Sequence, residues 1–504
     1  MRKIARVGIL SAAAIGGGVL LAVAYAPWNV WVLAPISIAL LVYLQWFQRL
    51  RLAAWLGFLF GVATFVVQHM WLGVVGSDAQ WLLSAYLGLW ISLVGLGTSW
   101  VSRHLKSIPA IMLVTGLWVT EEALRGRYPF GGYPWARIVF SQADSPFVHW
   151  STLGGAPFVT AVVVLVGVSL AVAIKTRRYP IALLTAGVVA VTALVPVVYS
   201  APTSSRQTFT IAVIQGGTPQ TGLGAMDVRR AVLDNHVRET ELLAQLVATG
   251  KEPQPDLVLW PENSSDINPY TDDSAYLSIS SAARAINAPI LVGAVVDSFE
   301  DPETEVYNMG ILWDPVSGPG ETYIKNAPVP FGEFIPFRSL LTQFISRYDR
   351  VPRDFAHGVE PGIFELDGVR LGDLICFEVA VDPVVDRIVD EGASVILVQT
   401  NNATYAKSAL PEQQLNIERI RAIETGRAVV VAATTGISAT ILPQGEVVNT
   451  LVDGETGSFV STVPVLDQRT VGTVLGAWIE IAIVWGTLIT LGGVLLYRRI
   501  VASR

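Results

Sequence analysis

Seven apolar stretches, each close to the ~20 residues a helix needs to cross a hydrocarbon core, crowd the first 205 residues of this 504-residue chain. They fall near 7–26, 28–47, 52–75, 80–102, 108–124, 153–174 and 180–199, and an eighth runs from about 472 to 497. That pattern restricts the chain to a multi-pass α-helical membrane protein with about eight spans, because lipid offers no partner to an unpaired backbone N–H or C=O. The composition agrees, at 52% hydrophobic and 15% charged. The charges are segregated. Residues 1–205 and 468–504 together carry a net +12, whereas residues 206–467 carry 17 bases and 36 acids, a net −19. Three segments are therefore expected: a transmembrane domain over 1–205, an acidic water-exposed domain over 206–467, and a C-terminal transmembrane helix with its tail over 468–504.

Lys and Arg in the short loops set the orientation. Arg2, Lys3 and Arg6 precede the first stretch, Arg49 and Arg51 follow the second, and Arg103 and Lys106 follow the fourth. Lys175, Arg177 and Arg178 follow the sixth, and Arg498, Arg499 and Arg504 the eighth. These thirteen bases share one face, against Arg125, Arg127 and Arg137 on the other. The basic face is the cytoplasmic one, so both termini are expected inside and residues 206–467 outside. A cleaved signal peptide at the first stretch is the alternative. It would invert the charge pattern of every later loop, and Gly/Ala-rich stretches follow at once. With Cys376 as the one cysteine, the exported domain must be stable without an internal disulfide. No Cys/His cluster has zinc spacing, so no metal or other cofactor is expected. The domain's acidity argues against nucleic acid as a partner.

From residue 209 the pattern changes to short apolar, β-branched runs at 209–215, 257–260, 290–295, 309–313, 369–375, 395–399, 429–433 and 439–442. Helical stretches at 228–248, 275–286, 383–391 and 412–426 lie between them. Alternation of this kind predicts a layered α/β domain, its strands buried on both faces. Polar residues stand where several strands end: Pro261-Glu262-Asn263 after 257–260, Cys376-Phe377-Glu378 after 369–375, and Lys325 after 321–324. Strand ends are where such folds present chemistry. A thiol there acts as a nucleophile only if a base takes its proton and a cation or N–H receives the oxyanion. Glu262 can be the base and Lys325 the cation. Each also has a plain structural reading: Cys376 as a small core residue, Glu262 as a helix N-terminal acid, Lys325 as a surface base. Periodicity does not choose between them.

Trp260-Pro261-Glu262, Lys325 with Pro330-Phe331-Gly332-Glu333, and Cys376-Phe377-Glu378 occur in the order Glu, Lys, Cys, and in this the chain resembles the nitrilase superfamily. Such a domain set among membrane spans resembles the apolipoprotein N-acyltransferases over nearly the whole chain. The resemblance implies an extracytoplasmic nitrilase-like αββα sandwich in the bacterial plasma membrane, with Glu262, Lys325 and Cys376 as the catalytic triad. Glu333 and Glu378 would orient Lys325 and its network, and a backbone N–H near Phe377 would help hold the oxyanion. The implied reaction is a ping-pong transfer from a phospholipid, through a cysteine thioester, to the α-amine of a diacylglyceryl-apolipoprotein. Gly131-Gly132-Tyr133-Pro134-Trp135 and Ser141-Gln142-Ala143-Asp144-Ser145-Pro146 match the family's loop between the fifth and sixth spans. That loop is either an acyl-donor support or an interfacial turn with anchoring aromatics.

The chain departs from the usual family pattern at Ala327 (His), Phe377 (Tyr), Asn401-Asn402-Ala403-Thr404-Tyr405 (Asn-Asp-Ala-Trp-Phe) and Gln215-Gly216-Gly217 (Gln-Gly-Asn). The combination resembles the actinobacterial branch, which implies a polyprenol-phosphate mannose synthase as a further partner. The competing enzyme is a membrane-bound nitrilase-type amidase or hydrolase, with the same triad and water as acceptor. A transporter is poorly supported, since Glu121 and Glu122 are the only acids within the seven stretches before residue 205 and lie near one end.

Overall fold

The computed structural model describes residues 2–198 and 205–502. The chain divides into two compact units, Met1–Ser200 with Thr470–Arg504, and Ala201–Arg469.

The first unit consists of α1 (Arg2–Val23), α2 (Leu33–Gln45), α3 (Leu50–Gln68), α4 (Ser77–His104), α5 (Ser107–Arg125), α6 (Ser151–Thr176), α7 (Tyr179–Val198) and a last helix, Val471–Ala502. Among the described residues six helices are long and apolar enough to cross a membrane, not eight. The second expected span is the clearest departure. Turns around Pro27 and Asn29, the latter at φ +55°, use up its first residues, and the 13 that remain helical reach only about 20 Å at ~1.5 Å per residue. The seventh is the 20-residue α7, whose apolar run is described over Tyr179–Val195. Its expected end at 199, like Arg504, lies outside the described residues. Small residues let the long helices close up, as packing in lipid requires. A Cβ on Gly57 of α3 would stand 2.5 Å from the Ile91 carbonyl oxygen of α4, and one on Gly95 would stand 2.5 Å from that of Ala53.

The three arginines opposite the thirteen bases are ion-paired. Arg125 Nε lies 2.6 Å from Glu121 Oε1, Arg137 Nε lies 3.7 Å from Glu122 Oε2, and Arg127 pairs with Glu480. The same groups fix the loop after α5. Arg125 Nη1 donates to the Tyr133 carbonyl (2.9 Å), and Glu122 accepts from the Ile138 N–H (2.6 Å) and the Thr160 hydroxyl (2.8 Å). Trp135 is buried within this loop, so it does not anchor an exposed turn.

Among its described residues the second unit holds thirteen strands. The first sheet contains β1 (Thr208–Gln215), β2 (Leu257–Leu259), β3 (Ile290–Asp297), β4 (Glu305–Asp314), β5 (Gly318–Ile324), β6 (Asp354–Phe355) and β13 (Gly457–Pro464), in the order β13-β1-β2-β3-β4-β5 with β6 beside β4. The second contains β7 (Ile363–Leu366), β8 (Val369–Ile375), β9 (Val395–Thr400), β10 (Ala428–Ala433), β11 (Ser438–Ile441) and β12 (Val447–Leu451), in the order β12-β11-β10-β9-β8-β7. The central strands run parallel, β1 with β2 and β3, and β8 with β9 and β10. Their side chains alternate between two interiors. Ile211, Val213, Leu257, Leu259 and Leu291 face Leu371, Ile375, Val395, Leu397 and Val430 between the sheets. On the outer face of the first sheet, Val258, Ile290 and Val292 pack on Leu233 and Leu243 of α8 (Ala231–Ala248) and on Ile279 and Ala283 of α9 (Asp273–Ile286).

Apart from the one-turn α10 (Arg338–Leu341), the remaining helices of this unit are α11 (Asp382–Asp390) and α12 (Leu410–Thr425). Ile388 of α11 closes on Gly372 of β8. Local chemistry sets the helix ends: Asp272 caps α9 by accepting from the Ser274 and Ala275 N–H groups, both at 3.0 Å, and Gly426 ends α12 at φ +67°.

Gly293 of β3 fixes where β2 can end, since a Cβ there would stand 2.2 Å from the Pro261 carbonyl oxygen and 2.8 Å from Glu262 Cα. Gly293→Ala should therefore push the Pro261-Glu262 backbone aside and cost about 1–3 kcal/mol, read as a lower unfolding midpoint. An unchanged midpoint would show that the strand end can yield.

Candidate active site

Strand ends from both sheets converge. Glu262 follows β2, Lys325 follows β5, Cys376 follows β8 and Asn401 follows β9. Lys325 is 1% exposed, and its Nζ sits 3.0 Å from Glu262 Oε1 and 2.8 Å from Glu333 Oε1. Asn308 of β4 donates from Nδ2 to the same two oxygens, at 2.6 and 3.0 Å. The outer carboxylate oxygens are also held. Glu262 Oε2 accepts from the Asn401 N–H at 2.9 Å, and Glu333 Oε2 from the Val329 N–H at 2.6 Å. Burial alone would depress the Lys325 ammonium. The Glu262 and Glu333 carboxylates outweigh it and hold the group well above the ordinary lysine range.

Cys376 stands at φ +56°, in the left-handed region that disfavours any side chain. The strained residue turns the chain from β8 into the short 3-10 turn Cys376–Ala380. The residue is half-buried rather than sealed. Burial of the sulfur and the Glu262 charge push the thiol up to about 12, with Lys325 and the Thr400 hydroxyl pulling partway back. At rest it is a thiol. Phe377, also half-buried, follows it.

Glu378 plays a different part from Glu333. Wholly buried, it accepts from the Tyr323 hydroxyl (2.9 Å), from the Asn326 and Ala327 N–H groups (2.7 and 3.0 Å) and from the Ile375 N–H (2.7 Å). It makes no hydrogen bond to Lys325. It clasps the backbone just past Lys325 to the strand that carries Cys376, tying one sheet to the other. Burial raises its pKa against these donors and Lys325.

Sequence reasoning missed Asn308 and Thr400. Asn308 left a readable signal, a lone amide inside the apolar run 306–313. The segments that contain the departures keep matching residues, Asn401 in one and Gln215-Gly216 in another, and these divide. Asn401 holds Glu262 through its N–H, and its Nδ2 reaches Asn263 Oδ1 at 3.0 Å. Tyr405 lies close enough for Cys376 and Glu333, after burial, to raise its hydroxyl to about 12. Gln215 and Gly216 are taken up elsewhere: Gln215 donates to the Val452 and Glu455 carbonyls, and Gly216 bonds His236.

Residues 17–169 match the apolipoprotein N-acyltransferase N-terminal domain, and residues 210–471 match the carbon-nitrogen hydrolase family. A protein from Mycolicibacterium smegmatis named apolipoprotein N-acyltransferase is 38% identical over 458 residues, covering 86% of this chain and 76% of that one. The chain belongs to the apolipoprotein N-acyltransferase family. A second relative of that name, from Photobacterium profundum, is 26% identical over 96% of this chain and 95% of its own length. Among solved structures, an amidase from Nesterenkonia sp. is similar at TM-score 0.36 and 19% identity, over 53% of this chain and 94% of that one. For this apolipoprotein N-acyltransferase relative, a thiol held in its neutral form has a direct readout. Alkylation of Cys376 by iodoacetamide should keep climbing with pH past the ~8.5 at which an ordinary thiol is half ionised. A plateau at lower pH would reveal a preformed thiolate.

Proposed function

We propose that this chain N-acylates bacterial lipoproteins by a ping-pong reaction in which Glu262, Lys325 and Cys376 are the catalytic groups. Glu262 takes the Cys376 proton, and the sulfur attacks the sn-1 ester of a phospholipid. Glu262 returns that proton to the departing oxygen, the lysophospholipid leaves with the C–O bond broken, and a thioester remains. The α-amine of a diacylglyceryl-cysteine at the start of an apolipoprotein then attacks the thioester, forming the amide and returning the thiol. Lys325 and a backbone N–H near Phe377 receive each oxyanion, a task for which one donor is typically worth about 3 kcal/mol.

The observation that carries this reading is the buried ammonium shared by two carboxylates beside an un-ionised thiol. A neutral thiol needs a base, and Glu262, gripped by Lys325, Asn308 and the Asn401 N–H, is a fixed one. Glu333 explains how Lys325 keeps its charge during the reaction. Once Glu262 is protonated, Glu333 still balances the ammonium from 2.8 Å, so the cation is free to meet the oxyanion. Glu378 and Phe377 support the turn that presents the sulfur. The actinobacterial resemblance adds a polyprenol-phosphate mannose synthase as a proposed partner.

Cys376→Ser should insert normally yet form no thioester, and mass spectrometry of lipoprotein N-termini from cells relying on it should find the amines free. Substantial N-acylation by that variant would remove Cys376 from the mechanism. Discharge of the wild-type thioester by water alone, with a lipopeptide amine ignored, would instead make the chain a membrane-bound hydrolase.

The acceptor exists only after export, so the reading requires the second unit to lie outside the cytoplasm with both termini inside. Thirteen bases on one face support this orientation. In a Cys376→Ser background, a single cysteine near Asp78 should label with an impermeant thiol reagent on intact cells, and one near Lys175 should not. The reverse pattern would exclude exported lipoproteins as acceptors.

A further inference from the structure

Three residues before the thiol, on β8, Asp373 is wholly buried, and neither of its carboxyl oxygens takes part in a well-formed hydrogen bond. Gln399, on the neighbouring strand β9, is equally buried, and its Oε1 is likewise without a donor. Asp373 Oδ2 and Gln399 Oε1 approach the same point between the sheets. The point a Cβ would occupy on Gly310 of β4 is 2.7 Å from Asp373 Oδ2 and 2.9 Å from Gln399 Oε1. The lack of a side chain on Gly310 is what leaves room for both.

The orientation of the Gln399 amide is dictated by its other end. Nε2 donates to the carbonyl oxygens of Trp260 (2.6 Å) and Leu291 (3.3 Å), both in the first sheet. Turned over, the amide would aim its own oxygen at two carbonyls, with no hydrogen to share among them. So Oε1 faces Asp373, and two acceptor oxygens in a dry core repel unless one of them carries a proton. An amide oxygen cannot supply it; a carboxyl can.

We infer that Asp373 is held as a neutral carboxylic acid that donates its proton to Gln399 Oε1, completing a strap from β8 through Gln399 to the Trp260 carbonyl. The charges around it agree. Burial, then the Glu378 and Glu262 carboxylates, push the Asp373 carboxyl well above its ordinary range, and the Leu374 N–H offsets only part of this. Tyr323 of β5 is a neutral phenol bonded to Glu378. An ionised Asp373 would add one more negative charge to a site where Lys325 already serves Glu262 and Glu333.

The strap makes Asp373 a positioning residue. Glu262 and Lys325 belong to one sheet and Cys376 to the other, so the distance from base to thiol is set by how the sheets register. Asp373-Gln399-Trp260 joins them two residues from Glu262 and three from Cys376. This bearing on catalysis rests on the roles proposed for those two residues; the protonation of Asp373 does not.

The test uses the full chain in lipid nanodiscs at pH 8. Infrared difference spectra of wild type against Asp373→Asn should show a protonated-carboxyl C=O stretching band that is lost in the variant and shifts in heavy water. Loss of carboxylate bands alone would overturn the inference. In single-turnover acylation, Asp373→Asn, which still offers an N–H to Gln399, should stay within about twofold of wild type. Asp373→Leu, similar in size but without a donor, should fall about tenfold at an unchanged half-saturating phospholipid concentration. Equal rates for the two variants would overturn the positioning role, even with Cys376→Ser inactive. Should Asp373→Leu fail to fold, the infrared band and the rate of Asp373→Asn decide: a band with a near-normal rate supports the strap, and absence of the band overturns it.

Discussion

A lysine ammonium cannot be buried alone, and in this protein much follows from burying one. Taking Lys325 out of water costs several kcal/mol unless carboxylates and further hydrogen bonds surround it. Two glutamates do so at 3.0 and 2.8 Å, and an asparagine donates to both of their carboxylates at 2.6 and 3.0 Å. These partners come from β2, β4 and the segment after β5, so the ion cluster exists only when the strand ends of the first sheet are in register. Pairs of this kind are weak contributors to stability but severe judges of geometry, because removing one partner leaves an uncompensated charge. The same arrangement that specifies the fold locally provides a base and a cation a fixed distance apart.

The sulfur comes from the other sheet, and a layered sandwich offers few polar contacts across its apolar interior. Several bear on the site: Glu378 gripping the backbone after Lys325, Gln399 reaching the Trp260 and Leu291 carbonyls, the Asn401 N–H on Glu262, and the Thr434 hydroxyl on the Glu262 carbonyl at 2.9 Å. These lie at the end of the sheets where the strand termini meet, while Val, Leu and Ile fill much of the interface. The helical unit repeats the device. Glu121, Glu122 and Arg125 are buried where charge is most costly, and they spend that cost on the backbone of one loop, between Tyr133 and Ile138.

How much of this could be read in the sequence follows burial. The strands sealed on both faces, such as 395–399 and 429–433, stand out as unbroken apolar runs, and the eight expected ones all appear. Those overlooked lie toward the sheet edges. The exposure of β12 alternates with no residue fully buried, and β5 reads Gly-Pro-Gly-Glu before turning apolar. The pairing of β13 with β1 joins residues some 250 apart, which no local pattern announces. In the membrane unit, counting apolar residues overstated the second stretch, since hydropathy measures transfer into lipid and not where turns at Pro27 and Asn29 interrupt a helix. Glu262, Lys325 and Cys376 were visible as polar residues closing apolar strands. Asp373 was visible too, an acid inside an apolar strand, but its neighbour Gln399 lies on another strand and only the fold brings them together.

A resting thiol, in place of a thiolate, has a further consequence for the proposed reaction. A permanently ionised sulfur outside the cytoplasm would be open to alkylation and oxidation between turnovers. With the proton retained until Glu262 removes it, the nucleophile appears only as its ester arrives. That places a demand on substrate binding, because the ester must reach the sulfur often enough to make the transfer count. Burying an acyl chain in a protein groove gains roughly 0.8 kcal/mol per CH₂ relative to water, yet leaving the bilayer loses a comparable amount, so chain contacts alone do little to recruit a lipid. Glycerol and headgroup contacts, together with confinement to the membrane surface, must supply the difference. For the proposed reaction, attachment to membrane helices at both ends of the second unit would act on concentration, since both proposed substrates are lipid-anchored.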